Sequence, residues 1–217
     1  MSQELDELRT KLVAAARKIY SLGLVTGTSG NLSARLPGSD EVLITPSGVD
    51  YEGMNPSDLV VVDLDGNVIE GRLKPSVDTM NHVGIYKVRP DVNGVIHTHS
   101  PYAAAFSTLH KEIPCLITEA AGYIGGPVRV MEYLPPATPE LGYKVAQWLK
   151  NDRAILMPNH GVMAVGESIE KALHAAVSVE ESAQVAFIAL QLGEPVPVSE
   201  SEVKRMNDFI HHRYGQR

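Results

Sequence analysis

Apolar and polar positions recur along this chain with two different periods, and each change of period marks an element. Residues 3–22 carry apolar side chains at Leu5, Leu8, Leu12, Ala15, Ala16 and Ile19. That i, i+3, i+4 spacing predicts an amphipathic helix ending before Gly23. The small residues and glycines of Thr26–Arg35 predict a tight turn with exposed amides, followed by a strand. Val42-Leu43-Ile44-Thr45 reads as a second strand, stopped by Pro46-Ser47-Gly48. Leu59–Asp63 and Val68–Glu70 flank Asp65-Gly66-Asn67, a strong hairpin signal, so the first third is expected to be mainly antiparallel.

Downstream, helices and strands interleave. Thr79–Val88 reads as a helix with Met80, Val83 and Ile85 apolar, residues 93–97 as a strand, and 101–110 as a helix. An apolar stretch then runs to Ile117, and Gly122, Gly125, Gly126 and Pro127 break the chain before a strand predicted at Val128–Met131. Thr138-Pro139-Glu140 opens a helix to Lys150. Ala154–Met157 and Val162–Val165 predict a hairpin across Asn159-His160-Gly161. Ser168 caps a long helix to about Leu192, and residues 199–212 form a last short one. Hairpins first and strands between helices afterwards predict the α/β class, as a three-layer α/β/α sandwich on a mixed, mainly antiparallel sheet. No repeat or linker divides residues 1–217, which are expected to form a single domain.

Composition narrows the setting. A chain of 217 residues suits one domain that buries roughly 70% of its unfolded surface. No segment has the apolar length to span a membrane, and the acidic start Met1–Glu7 lacks the features of a signal peptide. Cys115 stands alone, so no internal disulfide can form; a cytoplasmic location is expected. The formal net charge of −7 argues against nucleic acid as a partner. It leaves room for a small phosphorylated ligand, because helix N-termini and a divalent cation hold phosphate without a basic surface.

The strongest chemical signal is Val95-Ile96-His97-Thr98-His99-Ser100. Strand side chains alternate faces, so His97 and His99 point the same way, and two neutral imidazoles suit zinc or a similar borderline metal. His160, on the turn of the last hairpin, is a third candidate. Three protein ligands leave a coordination position open, as in catalytic rather than structural zinc sites. Asp78, at the start of a helix, is either that helix's N-cap or a general base beside the metal. His82 shares its helix face and forms a rival metal pair with it. Ser29-Gly30-Asn31, Ser47-Gly48 and Ser76-Val77 read either as turns or as phosphate contacts through hydroxyls and free amides. Glu119 and Tyr123, after an apolar strand, and Tyr214, near the C-terminus, are candidate proton donors or acceptors, Tyr214 if the tail folds over the site.

Thr28-Ser29-Gly30-Asn31-Leu32-Ser33, Ile44-Thr45-Pro46-Ser47-Gly48, Lys74-Pro75-Ser76-Val77-Asp78-Thr79, His97-Thr98-His99-Ser100 and Asn159-His160-Gly161 follow one another in this order. With them the chain resembles the class II aldolase/adducin family, from about residue 5 to the C-terminus. The resemblance implies a zinc enzyme, with Mn²⁺ or Co²⁺ as alternative metals, in a homotetramer with sites near subunit interfaces. His97, His99 and His160 match the zinc ligands, and Asp78 stands where the aldolases carry a catalytic glutamate that also ligates zinc. Gly30, Asn31, Ser47, Gly48 and Ser76 match phosphate-binding positions, and Val77 replaces a second serine. Tyr214 matches a C-terminal tyrosine. Asp78-Thr79 and Gly48-Val49-Asp50-Tyr51 are closer to the 4-epimerases of the family. Ala121 and Thr118 fall where the epimerase and the aldolase, respectively, carry their proton donors, so Glu119 or Tyr123 is expected to substitute.

The activity that these matches imply first is cleavage of a short ketose 1-phosphate, fuculose-phosphate-like or a 5-deoxy or alkylthio pentulose phosphate, to dihydroxyacetone phosphate and an aldehyde. Epimerisation of a pentulose 5-phosphate at C4 and decarboxylation of a 3-oxo-acid phosphate are the alternatives. A non-catalytic adducin-like interaction domain fits less well, because all three histidines and Asp78 are present.

Overall fold

The runs rich in valine, isoleucine and leucine become seven strands in a computed structural model that describes residues 3–135 and 139–215. They are β1 (Asn31–Ala34), β2 (Val42–Ile44), β3 (Val60–Val62), β4 (Val68–Glu70), β5 (Gly94–Thr98), β6 (Ala154–Met157) and β7 (Gly161–Gly166). One sheet takes them in the order β4-β3-β2-β1-β5-β7-β6. Every ladder is antiparallel, and the parallel element of the expected mixed sheet is a single bridge between Val130 and Leu156.

Six α-helices cover the sheet: α1 (Gln3–Ser21), α2 (Thr79–Val88), α3 (Pro101–Thr108), α4 (Pro139–Leu149), α5 (Ile169–Leu192) and α6 (Glu200–His212). Alternation along the strands splits the core in two. Leu32, Ile96 and Ala164 pack beneath α1, α3 and α5 with Leu12, Ile19, Phe106 and Val179. Val95, Ile155 and Met163 pack beneath α2 and α4 with Val83, Ile85, Leu141 and Val145. The result is the three-layer α/β/α sandwich expected from the pattern. β5 is buried along its whole length, and each of its large apolar side chains contributes about 1.5–3 kcal/mol by leaving water. That burial leaves the histidine-bearing strand no freedom to slip, since a one-residue shift would exchange its faces.

The helix ends follow the chemistry of their capping residues. Ser168 and Ser199 accept hydrogen bonds from the amides of Lys171 and Glu202, three residues on. Thr138, expected to open α4, lies outside the described residues.

Two expected elements differ. Val128–Met131 forms no strand; Ile113 and Val128 make one isolated antiparallel bridge. Pro114 and Pro127 adjoin that bridge on the two segments, and lacking N–H groups they cannot extend it into a ladder. The apolar stretch before Glu119 is likewise no strand. It leads into a single π-helical turn, Ala120–Ile124, on which α6 docks. Asn207 of α6 donates to the Gly122 carbonyl at 2.9 Å, and a Cβ on Gly122 would come within 2.5 Å of Ile210 Cγ1.

Candidate metal centre and its cavity

β5 delivers the first two histidines. His97 is the penultimate residue of the strand, and His99 follows one residue beyond it, its amide held by the Leu24 carbonyl at 3.1 Å. The β6–β7 hairpin turns through Asn159, whose φ of +56° is a left-handed conformation that asparagine tolerates, and this aims His160 at the other two. Gly161 next to it has no alternative, because a Cβ there would collide with the Thr98 carbonyl.

The Nε2 atom of His97 lies 2.9 Å from that of His99 and 3.2 Å from that of His160. Zinc–nitrogen bonds of about 2.0–2.1 Å at tetrahedral angles put ligand nitrogens roughly 3.3–3.4 Å apart, so these rings are already close to a ligating spacing. His97 donates its Nδ1 proton to the Val162 carbonyl at 2.8 Å, which fixes the tautomer and leaves Nε2 free as a ligand. Burial lowers the pKa of His97 well below the usual histidine value, and burial also lowers those of His99 and His160. All three are therefore neutral at pH 7, the form in which imidazole binds a metal. The donor set, three neutral nitrogens with their atoms within 4.8 Å of one another, fits zinc or a similar borderline cation.

The cluster opens on a cavity of about 240 Å³. Ser29, Gly30 and Asn31 line it from one loop, Ser47 and Gly48 from a second, Ser76 and Val77 from a third, with Asp78, His99 and His160. Three segments that spacing left as separate turns therefore converge. Gly30 is required where it stands: its φ is +73°, and a Cβ would lie 2.6 Å from the His97 carbonyl oxygen. Tyr51 holds the Gly30 carbonyl with its hydroxyl at 2.6 Å. The Ser76 amide donates to Thr45 at 3.1 Å and the Ser47 amide to Lys74 at 3.0 Å, tying the second loop to the third. A larger concavity of about 700 Å³, between α1 and β4, contains none of these groups and is lined instead by Asp6, Arg9, Asp58 and Glu70.

Asp78 stands at the N-terminus of α2 but does not cap it. Its Oδ2 accepts from Asn31 Nδ2 at 2.8 Å and its Oδ1 from Asn81 Nδ2 at 3.1 Å, so the carboxylate is held sideways across the cavity wall. His82, the rival partner by spacing, is fully buried and turned away, with Nδ1 2.6 Å from Ser33 Oγ and Nε2 2.6 Å from Asn31 Oδ1. Helical spacing placed His82 near Asp78; nothing in the sequence pointed to Ser33 and Asn31 as the partners of its ring, to Tyr86 beyond Ser33, or to Asn81 as a partner of Asp78.

The remaining candidates gather elsewhere. Tyr123 packs its ring on His174 at 5.1 Å, and burial raises its pKa, with Tyr214 and Glu119 adding to the rise. Tyr214 is exposed and leans on Phe209 at 5.9 Å. Glu119 accepts from Thr118 Oγ1 at 3.1 Å. None of the three lines the histidine cavity of its own chain.

A three-imidazole centre with an open side, carried on an antiparallel α/β/α sandwich, defines a protein built to hold a divalent metal beside a small polar ligand. The family model of the class II aldolase and adducin N-terminal domain matches residues 10–187. The 5-deoxy-D-ribulose 1-phosphate aldolase of Bacillus thuringiensis serovar kurstaki is 35% identical over 98% of this chain and 99% of its own. The L-fuculose phosphate aldolase of Escherichia coli is 37% identical over 92% and 91%. A solved L-fuculose 1-phosphate aldolase superposes with a TM-score of 0.89 at 32% identity, covering 97% of this chain and 98% of that one. The chain belongs to the class II aldolase and adducin family.

Proposed function

We propose that this protein is a zinc-dependent lyase that cleaves a short ketose 1-phosphate to dihydroxyacetone phosphate and an aldehyde. The observation that carries the reading is a cluster of three neutral imidazoles, two of which line, with Asp78, one cavity walled by small serine and glycine residues. Its similarity to aldolases acting on 5-deoxyribulose and fuculose phosphates supports the same substrate class here.

His97, His99 and His160 would hold the metal, with Asp78 beside them at the cavity wall, and a bound metal would supply Lewis-acid stabilisation of the charge left as the C3–C4 bond breaks. The amides and hydroxyls of Ser29, Gly30, Asn31, Ser47, Gly48 and Ser76 bind the phosphate, and Val77 offers only its amide. The C4 hydroxyl loses its proton as C4 becomes the aldehyde carbon, and C3 gains one. Asp78 carries the proton at C3. Tyr214 and Glu119 serve the leaving aldehyde from a neighbouring subunit of a homotetramer. The exposed Phe187, Ile188, Leu190 and Leu192 at the end of α5 suit such an assembly. Residues 1–217 act as one domain, and the lone thiol of Cys115 suits the cytoplasm. Among the described residues no helix is long and apolar enough to cross a membrane.

A second cavity of about 130 Å³ that also touches His160 mixes Met131, Leu134, Leu141 and Met157 with the polar Glu132, Tyr133 and Asn159. Similarity to aldolases named for 5-deoxyribulose and 5-methylthioribulose 1-phosphates supports an aldehyde half ending in a methyl or alkylthio group. Metal analysis coupled to triose-phosphate release, across 5-deoxy, alkylthio and fuculose ketose 1-phosphates, tests the reading. One bound zinc per chain and triose phosphate from the apolar-tailed substrates are expected. A rearranged pentulose or carbon dioxide as the product would overturn it.

A further inference from the structure

A continuous line of buried hydrogen bonds runs from the Asp78 carboxylate into the layer between the sheet and α2. Asn31 Nδ2 reaches Asp78 Oδ2 at 2.8 Å, and Asn31 Oδ1 reaches His82 Nε2 at 2.6 Å. His82 Nδ1 lies 2.6 Å from Ser33 Oγ, which lies 2.8 Å from the Tyr86 hydroxyl. The Arg35 guanidinium sits over the Tyr86 ring at 4.8 Å and closes the far end. Ser33 and His82 are completely buried, Tyr86 and Asn31 nearly so.

The chemistry of the groups allows one polarity. An ionised carboxylate only accepts, so Asn31 must present its NH₂ to Asp78 and its carbonyl to His82. His82 must then carry its proton on Nε2 and accept on Nδ1 from the Ser33 hydroxyl. Ser33, having given its only proton, accepts from Tyr86. The neutral ring this requires is the form that burial enforces, since the pKa of His82 is lowered to about 4. If the amide turned over, its carbonyl would face the carboxylate and its NH₂ would face the imidazole N–H, two repulsive contacts between buried groups. β1 and α2 supply alternate members: Asn31 and Ser33 share one face of the strand, and His82 and Tyr86 are one helical turn apart.

We propose that His82, Ser33 and Tyr86 are positioning residues that lock the Asn31 amide in a single orientation and, through it, hold the Asp78 carboxylate at the cavity wall in the geometry needed for proton transfer. The role deepens the aldolase reading and rests on it for its kinetic consequence. None of the three touches substrate. Asn31 is the joint, because it lines the cavity and contacts both Asp78 and His82.

Two variants of one residue separate positioning from packing. The amide nitrogen of His82→Gln reproduces Nε2 and reaches Asn31. The shorter side chain of His82→Asn places its amide oxygen where Nδ1 was, so it accepts from Ser33 and falls short of Asn31. Buried polar partners of this kind cost about 10–100-fold when removed. His82→Asn is expected to lower kcat at least about tenfold with KM and bound zinc unchanged, and His82→Gln to stay within about threefold of the parent. Tyr86→Phe, which keeps the ring, gives a smaller loss in kcat and guards against a folding failure at position 82. The side-chain amide signals of Asn31 in ¹⁵N spectra, recorded without substrate, should shift in His82→Asn and not in His82→Gln. Equal kcat and equal Asn31 signals in the two variants would overturn the proposal. Failure of the parent protein to release triose phosphate would overturn the aldolase reading alone, because the amide signals still report on the chain of hydrogen bonds.

Discussion

His97, His99 and His160 reach one point from the ends of strands whose register is set by hydrogen-bonded ladders, and His97 stands directly opposite Asn31 on β1 and Met163 on β7. Glu119, Tyr123 and Tyr214 gather instead around a π turn and the end of α6, outside the cavity of their own chain. The first group is buried or half-buried and assembled by a single chain. The second includes an exposed tyrosine whose described ring contact is one phenylalanine on its own tail. Rigid elements suit a centre whose geometry must hold to a fraction of an ångström. A group that meets only the leaving half of a substrate can be brought by a surface that moves or by a neighbouring subunit.

The sharpest way to break this contrast is to delete a ligand. His97→Ala or His160→Ala should lose bound zinc and about 10⁴-fold in kcat/KM, since several kcal/mol of charge stabilisation go with the metal. Metal analysis with a thermal melt checks that the fold survives. Asp78→Asn should retain zinc and fold while losing about 10³-fold in turnover; parent-like activity there would remove Asp78 from the chemistry. Tyr214→Phe should cost about 10²-fold. A loss as large as that of Asp78→Asn would put the tail on the same footing as the strand-held groups.

A smaller effect is read in stability. Burial depresses His82 to about 4 from 6.5, so between those values the unfolded chain binds a proton that the folded chain does not. The His82 contribution to folding stability should therefore fall as pH drops from 6.5 to 4, by up to about 3 kcal/mol, and level off below. Urea unfolding of the zinc-free protein across that range should show a steeper dependence than His82→Gln. The smallest expected change is at Val77, 72% exposed in the cavity wall. Val77→Ser adds a hydroxyl to that wall and should lower KM by about three- to tenfold, the net worth of one ordinary hydrogen bond.

Much of this was legible in the residues. Apolar runs, turn signals, capping residues and helical periodicity marked the seven strands and six helices of the described residues. The histidine pair announced itself because alternation in a strand puts positions two apart on one face. The π turn at 120–124 escaped, since an apolar stretch before glycines does not distinguish it from a strand or loop, and the two prolines that stop the bridge at Val128 act only once their segments lie side by side.

Periodicity, capping residues and five short motifs determined by themselves the layers of the sandwich, the family and the His97–His99 pair, because each is read from residues close in sequence. Tertiary structure alone decided that three small-residue loops share one cavity and that Asp78 faces Asn31 and Asn81 instead of capping its helix. It also decided that His82 points into a buried chain with Ser33 and Tyr86. Those contacts join residues about fifty positions apart, and only the register of β1 against β5 and the packing of α2 on the sheet bring them within hydrogen-bonding reach.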